Sequence, residues 1–266
     1  MDAEMDTVSG ATVLRFERRF KHPVAKVWRA ITDPAEMAHW FPATVETELK
    51  VGAPMTFVFP GTAPIDGARD GEILELDPPK VYAFRWNHDI LRFELVPDGD
   101  GCVLHFTQTL GGGDLGRLAA GRNAAGWDHC LGALGARLDD RLDEPFTDWL
   151  SAMRHYLDVF GLAEGTRVDT AEGAELHFGL DLVWKPIEEA WQVLAERGPK
   201  PTRAEAPRLL EHDGEPGLVR WELFADPDFG TRVELTHVLP AEYADAELAA
   251  WPARLEDLFT AVHADR

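Results

Sequence analysis

Past its midpoint the chain begins a residue pattern again. Leu14, Phe16 and Phe20 alternate along a first strand-like run over 12–22, and Leu176, Phe178, Leu180, Leu182 and Trp184 alternate in the same way later. Pro23 stands five residues before Trp28, as Pro186 stands five before Trp191. Phe93-Glu94-Leu95 returns as Trp221-Glu222-Leu223, and Thr107-Gln108-Thr109-Leu110 as Thr236-His237-Val238-Leu239. Trp127, Leu131, Leu134 and Leu138 keep a 4-3-4 spacing that recurs in Trp251, Leu255, Leu258 and Val262. Matches recurring in one order make a degenerate internal repeat, which commits both copies to one architecture. The copies are unequal: Trp28 to Phe93 spans 65 positions and Trp191 to Trp221 spans 30, so copy two lacks its early strands.

Each copy reads as α+β. In the first, Pro23 opens a short helix and Asp33-Pro34 a second turn leading to Trp40 and Phe41. Strand-like runs follow at about 43–49, 53–59, 70–77, 80–86, 90–97 and 101–110, with Asp98-Gly99-Asp100-Gly101 as a hairpin signal. A helical pattern then runs to about 142 and another over 146–160. The expected domains are 1–144, complete; 145–174, a connecting helix and linker; and 175–266, truncated. A narrow sheet around one helix leaves apolar surface uncovered, so the halves are expected to pack together and to share a cavity.

Charge and composition close off several functions. With 47 Asp+Glu against 26 Lys+Arg the net charge is −21, which argues against nucleic acid and against anionic membrane as partners. No run approaches the roughly 20 apolar residues of a membrane span. The acidic start, Met1 to Asp6, lacks a basic signal region, so a cytoplasmic location is expected. The two cysteines, Cys102 and Cys130, are expected as free thiols. No metal or nucleotide cofactor is expected: the histidines show no zinc-binding grouping, and Gly111 to Gly116 matches G-x-G-x-x-G without the βαβ unit that motif needs.

Alternation also marks which side chains face the helix. In copy one the inner set includes Met55, Phe57 and Phe59, then Trp86, Phe93 and Phe106, with Arg18 and Gln108 as polar members of the same faces. In copy two it includes Trp184, Trp221 and His237, His237 falling at the repeat position of Gln108. Trp40, Trp127, Leu131 and Trp251 join them from the helical segments. All fifteen are expected to line a ligand cavity, because a strongly curved sheet around one helix is difficult to fill. Buried polar groups need partners, so Arg18, Gln108 and His237 must meet water, one another or a ligand.

Copy one carries Val27-Trp28, Thr32-Asp33-Pro34, Trp40-Phe41, Asp77-Pro78-Pro79, Trp86 and Gly126-Trp127. In these it resembles the activator-of-heat-shock-ATPase-like subfamily of the SRPBCC superfamily, the START and birch-allergen-like helix-grip proteins. The resemblance covers about 12–142 strongly and 175–262 weakly. It implies a curved antiparallel sheet gripping a long C-terminal helix with a cavity between. It also implies a hydrophobic small molecule as partner: superfamily members bind lipids, sterols and polyketides, and a few are cyclases or aromatases. Six lysines and two asparagines beside abundant Ala, Gly and Arg suggest GC-rich coding, which associates the chain with polyketide or polyene metabolites. The leading expectation is a binding protein. A cyclase or aromatase using Arg18 or His237 to polarise a carbonyl, and a chaperone-linked or regulatory interaction module, are the alternatives.

Overall fold

The computed structural model describes residues 2–59, 69–111, 114–142, 146–226 and 230–264. It divides into two compact units, Met1–Phe160 and Gly161–Arg266. In the first, β1 (Glu4–Val8) and β2 (Ala11–Phe20) precede two short helices, α1 (Val24–Thr32) and α2 (Pro34–Met37). Six strands follow: β3 (Thr44–Thr47), β4 (Pro54–Val58), β5 (Arg69–Asp77), β6 (Val81–Trp86), β7 (Asp89–Asp98) and β8 (Gly101–Leu110). Then come α3 (Asp114–Leu138) and α4 (Trp149–Val159). The eight strands form one antiparallel sheet in the order β1-β2-β8-β7-β6-β5-β4-β3.

The second unit contains β9 (Thr166–Thr170), β10 (Gly173–Val183), α5 (Ile187–Arg197), β11 (Arg203–Glu205), β12 (Leu209–Asp213), β13 (Leu218–Asp226), β14 (Gly230–Leu239) and α6 (Ala244–His263). Its sheet runs β11-β12-β13-β14-β10-β9. Read from the other edge, this is the first sheet's order with the counterparts of β3 and β4 removed. Both units are therefore helix-grip arrangements, the second smaller, each with a long helix after its last strand. The span expected as connecting helix and linker divides between them. Met153 and Tyr156 of α4 are buried in the first unit, where Tyr156 Oη accepts the backbone N–H of Ala3 at 3.4 Å. β9 pairs with β10 in the second unit, Thr170 opposite Gly173.

Local chemistry explains the elements. Pro23 and Pro186 sit at the N-caps of α1 and α5, where a missing N–H costs nothing. Asp33 ends α1 and caps α2, its carboxylate accepting the Ala35 N–H at 3.0 Å. The stripe Trp127, Leu131, Leu134 and Leu138 on α3 is buried, and so is Trp251, Leu255, Leu258 and Val262 on α6. Gly121 lets α4 close on α3, since a Cβ there would meet Leu157 at 2.8 Å.

Glu36 of α2 accepts hydrogen bonds from Arg29 of α1 and from Arg137 of α3, the latter at 2.9 and 3.1 Å. The Arg29 bond, then the Arg137 bonds, hold its carboxyl below the usual range. A depressed folded-state value means the stabilisation is full above the ordinary carboxylate range and is lost as pH falls through the lowered value. Glu36→Gln is expected to lower the neutral-pH midpoint by about 2–4 °C, on the order of 1 kcal/mol, and to flatten the acid limb of the stability curve. Thermal scans from pH 7 to pH 3 test this; an unchanged acid limb would refute it.

Candidate functional site

The first unit's interior is densely aromatic. Phe106 on β8 lies opposite Phe16 on β2 and Phe93 on β7, with ring centroids 5.5 and 4.6 Å away, and Trp127 of α3 closes over it at 4.7 Å. Phe57 of β4 stacks on Trp86 at 4.9 Å and on Phe84 at 5.9 Å. Phe59 stacks on the outer side of Trp86 at 5.7 Å. Phe41, just after α2, touches Phe57, Phe84, Trp86 and Trp127 within 6.2 Å. Met55, Phe57, Phe93, Phe106 and Leu131 are essentially solvent-free. Trp40 is buried too, its indole N–H donating to the Ala30 carbonyl at 2.9 Å. These expected cavity residues form a packed aromatic core, because the α2–β4 segment feeds its own rings into the space between sheet and helix.

The polar members of that face are also engaged. The Arg18 guanidinium donates to Asp128 of α3 and to the Glu17 carbonyl, clamping strand to helix. The Gln108 amide nitrogen donates to Asp89 at 2.7 Å and to Asn123 at 3.1 Å, while its Oε1 finds no partner among the described residues. Asp89 also accepts the Gly111 N–H at 2.8 Å. Burial pushes its carboxyl up, against the pull of those two donors. The glycine motif lies partly outside the described residues, at 112 and 113. Cys102 and Cys130 are buried and form no disulfide.

Register carries this geometry into the second unit. Phe178, Leu235 and Trp221 stand opposite one another as Phe16, Phe106 and Phe93 do. His237 lies between Leu176 and Val219 as Gln108 lies between Leu14 and Leu91. On the next strand His212 takes the place of Phe84, and Gly214, two residues on, that of Trp86. Only residues 198–202 separate α5 from β11, and none of them is aromatic, so that segment has no counterpart of Phe41 and Phe57. Where the first unit has four aromatic rings, the second has an imidazole and a glycine.

A cavity of about 650 Å³ occupies the second unit at this place, within the range of small-molecule sites. Trp221 and Trp251 form its aromatic wall, their rings edge-on at 5.6 Å. Val193 and Leu194 of α5 and Leu258 of α6 supply aliphatic walls. Three residues singled out from the sequence, Trp221, His237 and Trp251, therefore come together on the cavity. Trp184 does not join them. The chain leaves β10 at Val183, and Trp184, at φ +60°, turns out of the strand and is 40% exposed. His212 was missed because β12 carries no alternating apolar signal; Leu210 alone marks its inner face.

Partner chemistry assigns each ring nitrogen its hydrogen-bonding role. His237 donates from Nε2 to the Pro216 carbonyl at 2.7 Å and accepts the Trp251 indole N–H on Nδ1 at 2.9 Å. His212 is the opposite tautomer, donating from Nδ1 to the Asp213 carbonyl at 3.0 Å and accepting the Trp221 indole N–H on Nε2 at 3.2 Å. Each histidine orients one tryptophan of the wall and has no ring nitrogen left for a guest. Among the described residues, no three His, Cys, Asp or Glu side chains are placed to hold a metal ion, and no helix is long and apolar enough to cross a membrane.

Residues 21–139 match the family model described as Activator of Hsp90 ATPase homolog 1-like protein. Among solved structures, EF2215 from Enterococcus faecalis, a conserved protein of unknown function, is similar with a TM-score of 0.52 and 21% identity, over 60% of this chain and 90% of that one. CalU16 from Micromonospora echinospora gives 0.46 and 20%, over 60% and 93%. MLL2253 from Mesorhizobium loti gives 0.43 and 27%, over 48% and 97%. The likeness to the Enterococcus protein is one of fold. No curated protein matches the sequence.

Proposed function

We propose that this chain is a binding protein, its first unit a helix-grip domain of the SRPBCC superfamily and its second unit the holder of a hydrophobic small molecule. The observation that carries this is the 650 Å³ cavity at the place where Phe41 and Phe57 pack against each other in the first unit. A guest there would lie against Trp221 and Trp251 and gain about 25 cal/mol for each Å² of apolar surface removed from water. The aliphatic residues of α5 and α6 would grip its other side. Polyketide, polyene or lipid-like molecules are the guest class, on the strength of the fold's cavity and the GC-rich composition.

Binding is favoured over turnover by the hydrogen bonds of the polar groups. His237 would have to break its bond to Trp251 or to Pro216 before it could take or give a proton. Arg18, the other candidate for polarising a carbonyl, is committed to Asp128. The first unit, with its packed interior, then serves as scaffold. Native mass spectrometry of the protein purified from its own host is the direct test. The expected result is a retained adduct of a few hundred daltons; absence of any adduct, together with no uptake of Nile red by the purified protein, would refute the reading.

A further inference from the structure

The charges around the cavity specify its guest more narrowly than the apolar walls do. Four carboxylates line it, Asp213, Glu215, Glu247 and Asp257, against two guanidinium groups, Arg197 and Arg254. Glu247 and Arg254 neutralise each other at 2.7 Å. Asp213, Glu215 and Asp257 have no ion-pair partner among the described residues, and Arg197 is the other guanidinium on the lining. A cavity mouth with this excess focuses negative potential onto an apolar interior, and the chain's net charge of −21 deepens it.

The cavity wall is also built to receive a cation. Indole faces carry negative electrostatic potential and attract ammonium or guanidinium groups within about 6 Å of the ring. The protein already uses Trp251 in this way, with the Arg254 guanidinium carbon 4.9 Å from its ring centroid. Trp221 stands edge-on to Trp251, so the two rings present differently oriented surfaces to one volume. Both indole N–H groups are already hydrogen-bonded to His212 and His237, so what they leave to a guest is the ring carbons. The polar handle is withdrawn and the π surface is offered.

The geometry points to an apolar organic cation as the guest: an amine or quaternary ammonium group on a hydrophobic body, its charge at the carboxylate rim or a tryptophan face. This deepens the binding-protein reading and rests on it. An anionic guest would meet three unpaired carboxylates, and a neutral one would leave the rim's field unused.

Isothermal titration of the full-length protein with three probes sharing a naphthalene body separates the cases. The probes are (2-naphthylmethyl)trimethylammonium, 2-(2-naphthyl)ethanol and 2-naphthylacetate. The ammonium is expected to bind about tenfold more tightly than the alcohol, and the acetate more weakly than both. The ammonium's advantage should shrink severalfold between 20 and 500 mM salt, as the Debye length falls below the rim's dimensions. Combining Asp213→Asn, Glu215→Gln and Asp257→Asn should cut the ammonium's advantage over the alcohol severalfold, leaving the share that the tryptophan faces supply. These side chains are exposed, and near-UV circular dichroism checks that the variant is folded. Should the variant fail that check, the salt dependence of the wild-type protein still decides. An alcohol that binds as well as the ammonium overturns the cationic guest while leaving the cavity reading intact. Failure of all three probes to bind overturns both.

Discussion

Leu258→Trp should empty the second unit of its guest while leaving the fold intact. Leu258 lies seven residues beyond Trp251 on the same face of α6, and its side chain forms part of the cavity wall. An indole there extends into open volume, so the strain that usually accompanies a larger core residue is small. If it displaces about 100 Å² of guest contact, the loss is about 2.5 kcal/mol, roughly seventyfold in affinity. Nile red titration followed by fluorescence measures the loss, and a thermal scan should show an unchanged or slightly raised midpoint. Unaltered dye uptake by a folded Leu258→Trp protein would remove the cavity from the account.

The contrasting result is expected from Phe106→Ala in the first unit. Phe106 is fully buried among Phe16, Phe93 and Trp127, and deleting its ring leaves a hole that so tightly packed a neighbourhood cannot close. A cost of about 3–5 kcal/mol is expected in urea denaturation, with dye affinity unchanged in the folded protein. The two variants are a matched pair: one removes binding without stability, the other removes stability without binding. Loss of binding at unchanged stability in Phe106→Ala would return the site to the first unit and overturn the view of its interior as filled.

Where sequence and structure part, the reasons are physical. β1 and β9 precede the first inner strand of their units as the outer arms of hairpins, exposed along nearly their whole length. With neither face buried, Glu4-Met5-Asp6-Thr7-Val8 and Thr166-Arg167-Val168-Asp169-Thr170 carry no alternation to detect. β11 is three residues long and fully exposed, and β12 shows one apolar inner residue, so the middle of the second unit left little trace. Trp184 continues the apolar rhythm of β10 on paper. Its positive φ bends the chain away before its side chain can take that place.

The aromatic positions teach a different lesson. Alternation identified Phe57, Trp86, Phe93 and Phe106 as inward-facing, and all four do face inward. It could not say whether they look onto a void or onto one another. In the second unit the same alternation identified Trp221 and His237, and there a void lies beyond them.

The sequence alone therefore determined the strand-and-helix order of the first unit from β2 onward, its echo in the second, and the side of each main inner strand that is hidden from water. Those properties depend on periodicity and spacing, which are local. Only the tertiary structure decided which rings of the first unit meet one another and where a cavity opens in the second. That outcome is a balance of volumes among residues far apart in the chain. Phe41 and Phe57 reach the space beside Trp86 and Trp127 in one unit, and in the other the segment between α5 and β11, residues 198–202, carries no aromatic residue to take their place.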